Sequence, residues 1–145
     1  MPNQADAFET LARIEETQST LREMLRGVEP ARLYARSASG EWSAMENVRH
    51  LLFAEQHHFG THLPKGFRWS SAGVPPPNRT GERRLNPVGS EPAARIDDVF
   101  DAWATINDVV RGLCHEPDDA LLRTLEGNLM HLRVHAATIQ RLVAG

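Results

Sequence analysis

Hydrophobic positions recur by threes and fours along four stretches of this chain, the spacing of a helix that buries one face. The first stretch runs from about Gln4 to Gly27. Leu11, Ile14, Gln18, Leu21 and Leu25, with Val28 just beyond, form a heptad-like stripe with one polar member, and Gly27 marks its stop. The second, from about Ser43 to about His62, opens with Ser43-Ala44-Met45-Glu46. In that S-x-x-E spacing the Ser and Glu side chains each satisfy an otherwise unpaired amide. Val48, Leu51, Leu52 and Phe59 supply its apolar surface. The third, from about Glu91 to Leu113, has Ser90 as N-cap and Pro92 in the tolerant first turn. Ile96, Val99, Phe100, Trp103, Ile106, Val110 and Leu113 make its stripe. The fourth, from about Ala120 or Thr124 to Val143, reads inward as Leu121, Leu125, Asn128, Leu132, His135, Ile139 and Leu142.

Runs of alternating Val, Ile and Thr are almost absent, and no Asn-Gly hairpin turn occurs, so strands are not expected. Four amphipathic helices of this length bury their stripes most simply as a bundle. The expected fold is therefore all-α, a four-helix bundle, with residues 1–145 as one domain. The stretch from Pro64 to Gly89, with Pro75-Pro76-Pro77, several glycines and Arg83-Arg84, makes a long loop between helices 2 and 3 of this reading. A connection of that length is either a crossover that reverses helix order or a lid.

Composition narrows the function classes. Lys plus Arg is 16 against 19 Asp plus Glu, a net charge of −3, which argues against wrapping nucleic acid by bulk charge. The single cysteine, Cys114, allows no intrachain disulfide framework. It closes the third helix, where the macrodipole disfavours a thiolate, so it is no candidate nucleophile. The N-terminus lacks a basic region followed by an apolar one, and no window approaches a membrane span. No membrane partner is expected, and the default location is the cytoplasm. Neither a Gly-rich phosphate loop nor a G-x-S-x-G setting occurs.

Candidate chemistry rests on histidine. His131 and His135 lie four apart in the middle of the fourth helix, so their rings project from one face and continue the inward series. His50, one to two turns into the capped second helix, lies at a depth that can meet them. Three imidazoles would grip one cation and leave coordination positions open. Seven histidines give such spacings by chance too, and His58/His62 is a second i, i+4 pair, so spacing alone decides little. His58 and His62 lie near a helix end beside Pro64 and read as surface residues, with a second site as the alternative. His57 is two turns from His50, about 10 Å along the axis, too far to share an ion. Glu46 is a second-sphere or general-base candidate, although its capping role already occupies it. Glu55 is expected to face water. Asn128 could bond a ligand or simply satisfy a core-facing amide. Trp42 is expected to pack over the start of the second helix and Trp103 in the core. Trp69 either closes over a ligand or pins the loop.

Two stretches, Glu41-Trp42-Ser43-Ala44-Met45-Glu46-Asn47-Val48-Arg49-His50-Leu51-Leu52-Phe53-Ala54-Glu55 and His131-Leu132-Arg133-Val134-His135-Ala136-Ala137-Thr138-Ile139-Gln140, resemble the DinB-like superfamily of metal-binding four-helix-bundle proteins. That family shows a similar W-S-x-x-E…H-L…E entry to its second helix and an H-x-x-x-H…Q-I-like run in its last. Two departures stand out: Arg133-Val134 replaces the more polar pair usual between the histidines, and the Pro64 to Gly89 segment matches no family motif. Carried over by position, the resemblance implies His50, His131 and His135 as ligands of a divalent metal ion such as nickel or zinc. Imidazole itself suits zinc, nickel, copper and iron alike. The resemblance also implies a homodimer and a small-molecule substrate, with a low-molecular-weight thiol among the candidates. The expected activity is metal-dependent thiol transfer or hydrolysis. The alternatives are a non-catalytic, stress-associated bundle stabilised by its ion and a helical interaction module without metal.

Overall fold

The computed structural model describes residues 3–36, 41–70, 72–73 and 95–144, and every regular element among them is helical. Four long helices carry the fold: α1 (Gln4–Arg26), α3 (Ala44–Phe59), α4 (Ile96–Leu113) and α5 (Asp119–Ala144). A single turn, α2 (Pro30–Leu33), lies between the first two. The sequence reading passed over α2, although Pro30 at its first position is a start signal.

Local chemistry sets the ends. Asn3 caps α1 by accepting from the Ala5 amide. Ser43 and Glu46 form the expected reciprocal pair at α3: the Glu46 amide donates to Ser43 Oγ (3.1 Å) and the Ser43 amide to Glu46 Oε1 (2.9 Å). At the start of α5 the Asp118 carboxylate accepts from the Leu121 amide at 2.7 Å. Ser90 and Pro92 lie outside the described residues. Where α4 is described it begins later than the Glu91 start expected, at Ile96 after an extended Arg95, with Asp97 and Asp98 in its first turn. Two acidic residues there suit the positive end of the helix dipole.

Contacts between helices give their directions. Arg22 near the end of α1 pairs with Asp97 and Asp101 at the start of α4, and Gln4 meets His115 just beyond its end. These two helices are antiparallel. On α3 and α5, Asn47 meets His135, Glu55 meets Asn128 and His62 meets Thr124, a descending series that makes them antiparallel too. The end of α1 (Met24, with Gly27 just beyond) and the end of α5 (Gln140, Val143, Ala144) line one cleft, so this pair runs parallel. It follows that α3 and α4, also neighbours, run the same way. A same-direction pair cannot be joined by a tight turn, and the Pro64 to Gly89 stretch supplies the length such a return needs; most of it lies outside the described residues.

The stripes meet in one core. Leu11, Ile14, Leu25, Met45, Leu52, Phe59, Trp103, Ile106, Leu125 and Ile139 are all buried. Trp103 is in the core as expected. Val28 and Leu142 are only partly buried, at the frayed edge of their stripes. Residues 67–70 and 72–73 are strapped back onto α3. Arg49 Nε donates to the Ala72 carbonyl at 2.6 Å, the Ser70 amide donates to Gln56 Oε1, and Trp69 stands edge-on to Phe53. Trp69 therefore pins this segment, the second of the two roles considered for it.

Candidate metal centre

The antiparallel packing of α3 on α5 brings the three histidines together. One ligand nitrogen from each of His50, His131 and His135 can be chosen so that all lie within 4.8 Å of one another. The ring centroids are 4.5 Å apart for His131 and His135, 4.9 Å for His50 and His135, and 5.4 Å for His50 and His131. His50 is buried, whereas the other two rings are part-exposed. Trp42 covers the N-terminal side, its ring 5.0 Å from that of His50. It packs where expected, and what it packs on is a candidate ligand.

The hydrogen bonds dictate which nitrogen of His135 is available. Asn47 Nδ2 donates to the Ser43 carbonyl at 2.9 Å, which turns its Oδ1 toward His135 Nδ1 at 3.1 Å. An amide oxygen can only accept, so Nδ1 carries the hydrogen and Nε2 holds the free electron pair. A ring fixed by an acceptor on its far nitrogen is how proteins orient metal-binding histidines. His131 has a buried Nδ1 with no hydrogen-bond partner among the described residues. That electron pair or N–H is unsatisfied by the protein, a costly arrangement unless something else meets it.

Electrostatics favour neutral rings. Burial, together with His135 and His58 nearby, pushes His131 down to about 4, and burial holds His135 below the ordinary imidazole range. Neutral imidazole is the form that binds a cation, so His131 and His135 are ready to ligate without first losing protons. No Cys, Asp or Glu joins the three histidines among the described residues. Three imidazoles could hold a metal ion, and the donor set does not choose among zinc, nickel, copper and iron.

Other candidates fall elsewhere. Glu46 is fully buried with both oxygens engaged, by the Ser43 amide and by Arg36 Nε and a terminal guanidinium nitrogen. This is a structural carboxylate, not a base. His57 is exposed and stacks on Phe53. Cys114 is buried, and burial pushes its thiol up, in keeping with its dismissal as a nucleophile.

Two expectations need correction. Glu55 does not face water: it is 1% exposed, because it follows Leu51 by four and Leu52 by three and so shares their inward face. His58 and His62 are not plain surface residues. Both are part-buried, with His58 Nδ1 2.9 Å from Asn128 Oδ1 and His62 Nε2 3.2 Å from Thr124 Oγ1. Asn128 donates to Glu55 Oε1 (3.0 Å), Gln18 donates to the same oxygen (2.9 Å), and Asn107 donates to Gln18 Oε1 (2.7 Å). A buried polar chain thus crosses all four long helices and ends at His58. The central carboxyl is pushed up to about 8, chiefly by burial, and so holds a proton at neutral pH.

Against known proteins, a family model described as the DinB superfamily matches residues 13–143. No curated protein and no solved structure matches the chain.

Proposed function

The chain belongs to the DinB superfamily, and from that premise and the three-imidazole cluster we propose that it binds one divalent metal ion, nickel or zinc, through His50, His131 and His135, and acts on a small molecule there. The observation that carries the reading is the convergence of three ligand nitrogens within 4.8 Å from two helices. Such a cation, held by neutral imidazoles and keeping its full charge, supplies Lewis acidity toward a thiol or a water molecule. The favoured activity is thiol transfer to an electrophile, with hydrolysis as its neighbour.

The protein's own groups support an open rather than a sealed site. His131 and His135 are part-exposed, and among the described residues no fourth Cys, His, Asp or Glu completes the set. Trp42 shields His50 from one side and would exclude water there. Asn47 keeps His135 in the ligating tautomer. A homodimer belongs to the same reading, with Met130 and Val134, exposed one turn apart on α5, as apolar surface for it; a monomeric mass by light scattering would remove it.

Elemental analysis of the purified protein, followed by calorimetric titration of the chelator-treated form with Zn(II) and Ni(II), tests the site. One ion per chain is expected, with tight binding lost in His131→Ala and in His135→Ala. Uptake that survives both substitutions would overturn the assignment. A screen of low-molecular-weight thiols with electrophilic acceptors then tests the activity, and turnover that persists in the metal-free protein would defeat the metal-dependent reading.

A further inference from the structure

The buried chain ending at His58 has a direction, and that direction sets the chemistry of His58. Asn128 spends its Nδ2 on Glu55, so only its oxygen remains for His58. An oxygen that can only accept requires the hydrogen on His58 Nδ1 and leaves the electron pair on Nε2. The arrangement repeats the one at His135, where Asn47 plays the same part. Glu55 keeps the chain in this sense: Oε1 accepts from both Asn128 and Gln18, which leaves Oε2, without a partner among the described residues, to carry the carboxyl proton.

His58 is also in the right place to matter. Its ring stands edge-on to that of His131 with centroids 5.4 Å apart, the same separation as His50 from His131. It lies two turns beyond His50 on α3, about 12 Å along the axis, so it is a neighbour of the cluster and not a fourth ligand. Along this seam Trp42 lies at one end, beside His50, and His58 lies at the other, beside His131. A molecule seated on the cluster therefore has Trp42 beside it at one end and His58 at the other.

We propose that His58 is a substrate-binding residue of this site, its Nε2 accepting a hydrogen bond from a small thiol bound at the three histidines, with Asn128 and Glu55 as positioning residues that hold it in the accepting tautomer. The proposal rests on the three-histidine reading.

Long-range proton–nitrogen NMR on protein labelled at histidine reads the tautomer directly, with the His58 signals assigned by their loss in His58→Phe. In the metal-free wild type the expected state is a protonated Nδ1 with a pyridine-like Nε2. Asn128→Asp, which still accepts, and Glu55→Gln, which still accepts at its oxygen, keep that state; Asn128→Leu loses it. A wild-type His58 protonated at Nε2, or a tautomer indifferent to Asn128→Leu, overturns the positioning claim. Binding is read with Co(II)-loaded protein and 2-mercaptoethanol, through the change in the Co(II) absorption spectrum. His58→Phe should weaken the thiol about fivefold to tenfold, the worth of one hydrogen bond, and leave Co(II) affinity unchanged. An unaltered thiol affinity in that variant overturns the binding role. If the wild type takes up no Co(II), the three-histidine reading fails and this one with it. That failure shows as an absent Co(II) spectrum, whereas failure of the present inference alone shows as a normal spectrum with an unaltered thiol titration.

Discussion

Glu55→Gln should make this protein more stable as pH rises, although the substitution removes a charged residue type from the centre of a hydrogen-bonded chain. Glu55 titrates near 4.5 when exposed and is pushed up to about 8 in the fold by burial. Between those values the unfolded chain has released the proton and the folded chain still holds it. The contribution of this group to stability is therefore full below about 4.5 and is lost as pH rises through 8, at about 1.4 kcal/mol per pH unit. Across the whole window the loss is on the order of 5 kcal/mol, and about 3 kcal/mol of it is gone by pH 7, a large share of a domain's total. Glutamine keeps the oxygen that accepts from Gln18 and Asn128 and puts an uncharged amide where the carboxyl proton was. Urea unfolding of both proteins at several pH values, in chelator, gives the difference in stability. Between pH 5.5 and 7.5 that difference should move by about 3 kcal/mol in favour of the glutamine variant. The lowered histidines act in the opposite sense, adding stability as pH climbs from about 4 to 6.5, but they are common to both proteins and cancel. A difference that stays flat over the window, or that moves toward the wild type, would refute the buried neutral carboxyl.

Further outcomes follow from the same contacts. Replacing His131 or His135 by Ala should weaken Zn(II) by at least about a hundredfold in calorimetry, since two remaining imidazoles make a poor site, while His57→Ala on the exposed face should change nothing. Asn47→Leu should cost about 10- to 100-fold in Zn(II) affinity by freeing the His135 ring, with little loss of helix content by circular dichroism. Zn(II) affinity should weaken only gradually as pH drops below 6.5 and persist toward 4, because burial lowers His131 to about 4 and His135 in the same direction; a sharp loss centred at 6.5 would count against buried ligands. Gly73→Ala places a Cβ 3.0 Å from the Phe53 nitrogen and 3.1 Å from its Cα, backbone atoms that cannot swing away, so thermal unfolding should show a loss of about 1–3 kcal/mol.

Much of the fold could be read from the chain because helices declare themselves locally. The Leu11, Ile14, Leu21, Leu25 stripe and the Ser43/Glu46 cap each need only a few neighbouring residues to be recognised, and each sits in the structure as its spacing requires. What could not be read is which stripe faces which. Helix directions emerged only from contacts such as Arg22 with Asp97 and Asn47 with His135, pairs separated by tens of residues. The described α4 begins at Ile96 after an extended Arg95, a residue type that gives no N-cap signal in the sequence.

The site divides along the same line. His131 and His135 were visible because one helix fixes their relation, and His50 could be added because the capped start of α3 fixes its depth. Asn47 and His58 were missed because their significance lies in a partner's orientation: Asn47 matters through the Ser43 carbonyl that turns its oxygen toward His135, and His58 through an amide committed to Glu55. Sequence patterning did contain a trace of this chain. Gln18, Asn107 and Asn128 interrupt the buried apolar series of α1, α4 and α5, and Glu55 is one of several buried polar residues on α3. A lone polar residue on a core face has to find a partner, and four of them, one per helix, can satisfy one another only by meeting at a common level. Such interruptions are therefore constraints on how the helices are stacked as well as candidates for function. Here they place the α3–α5 seam, and with it the three imidazoles, at a defined height in the bundle.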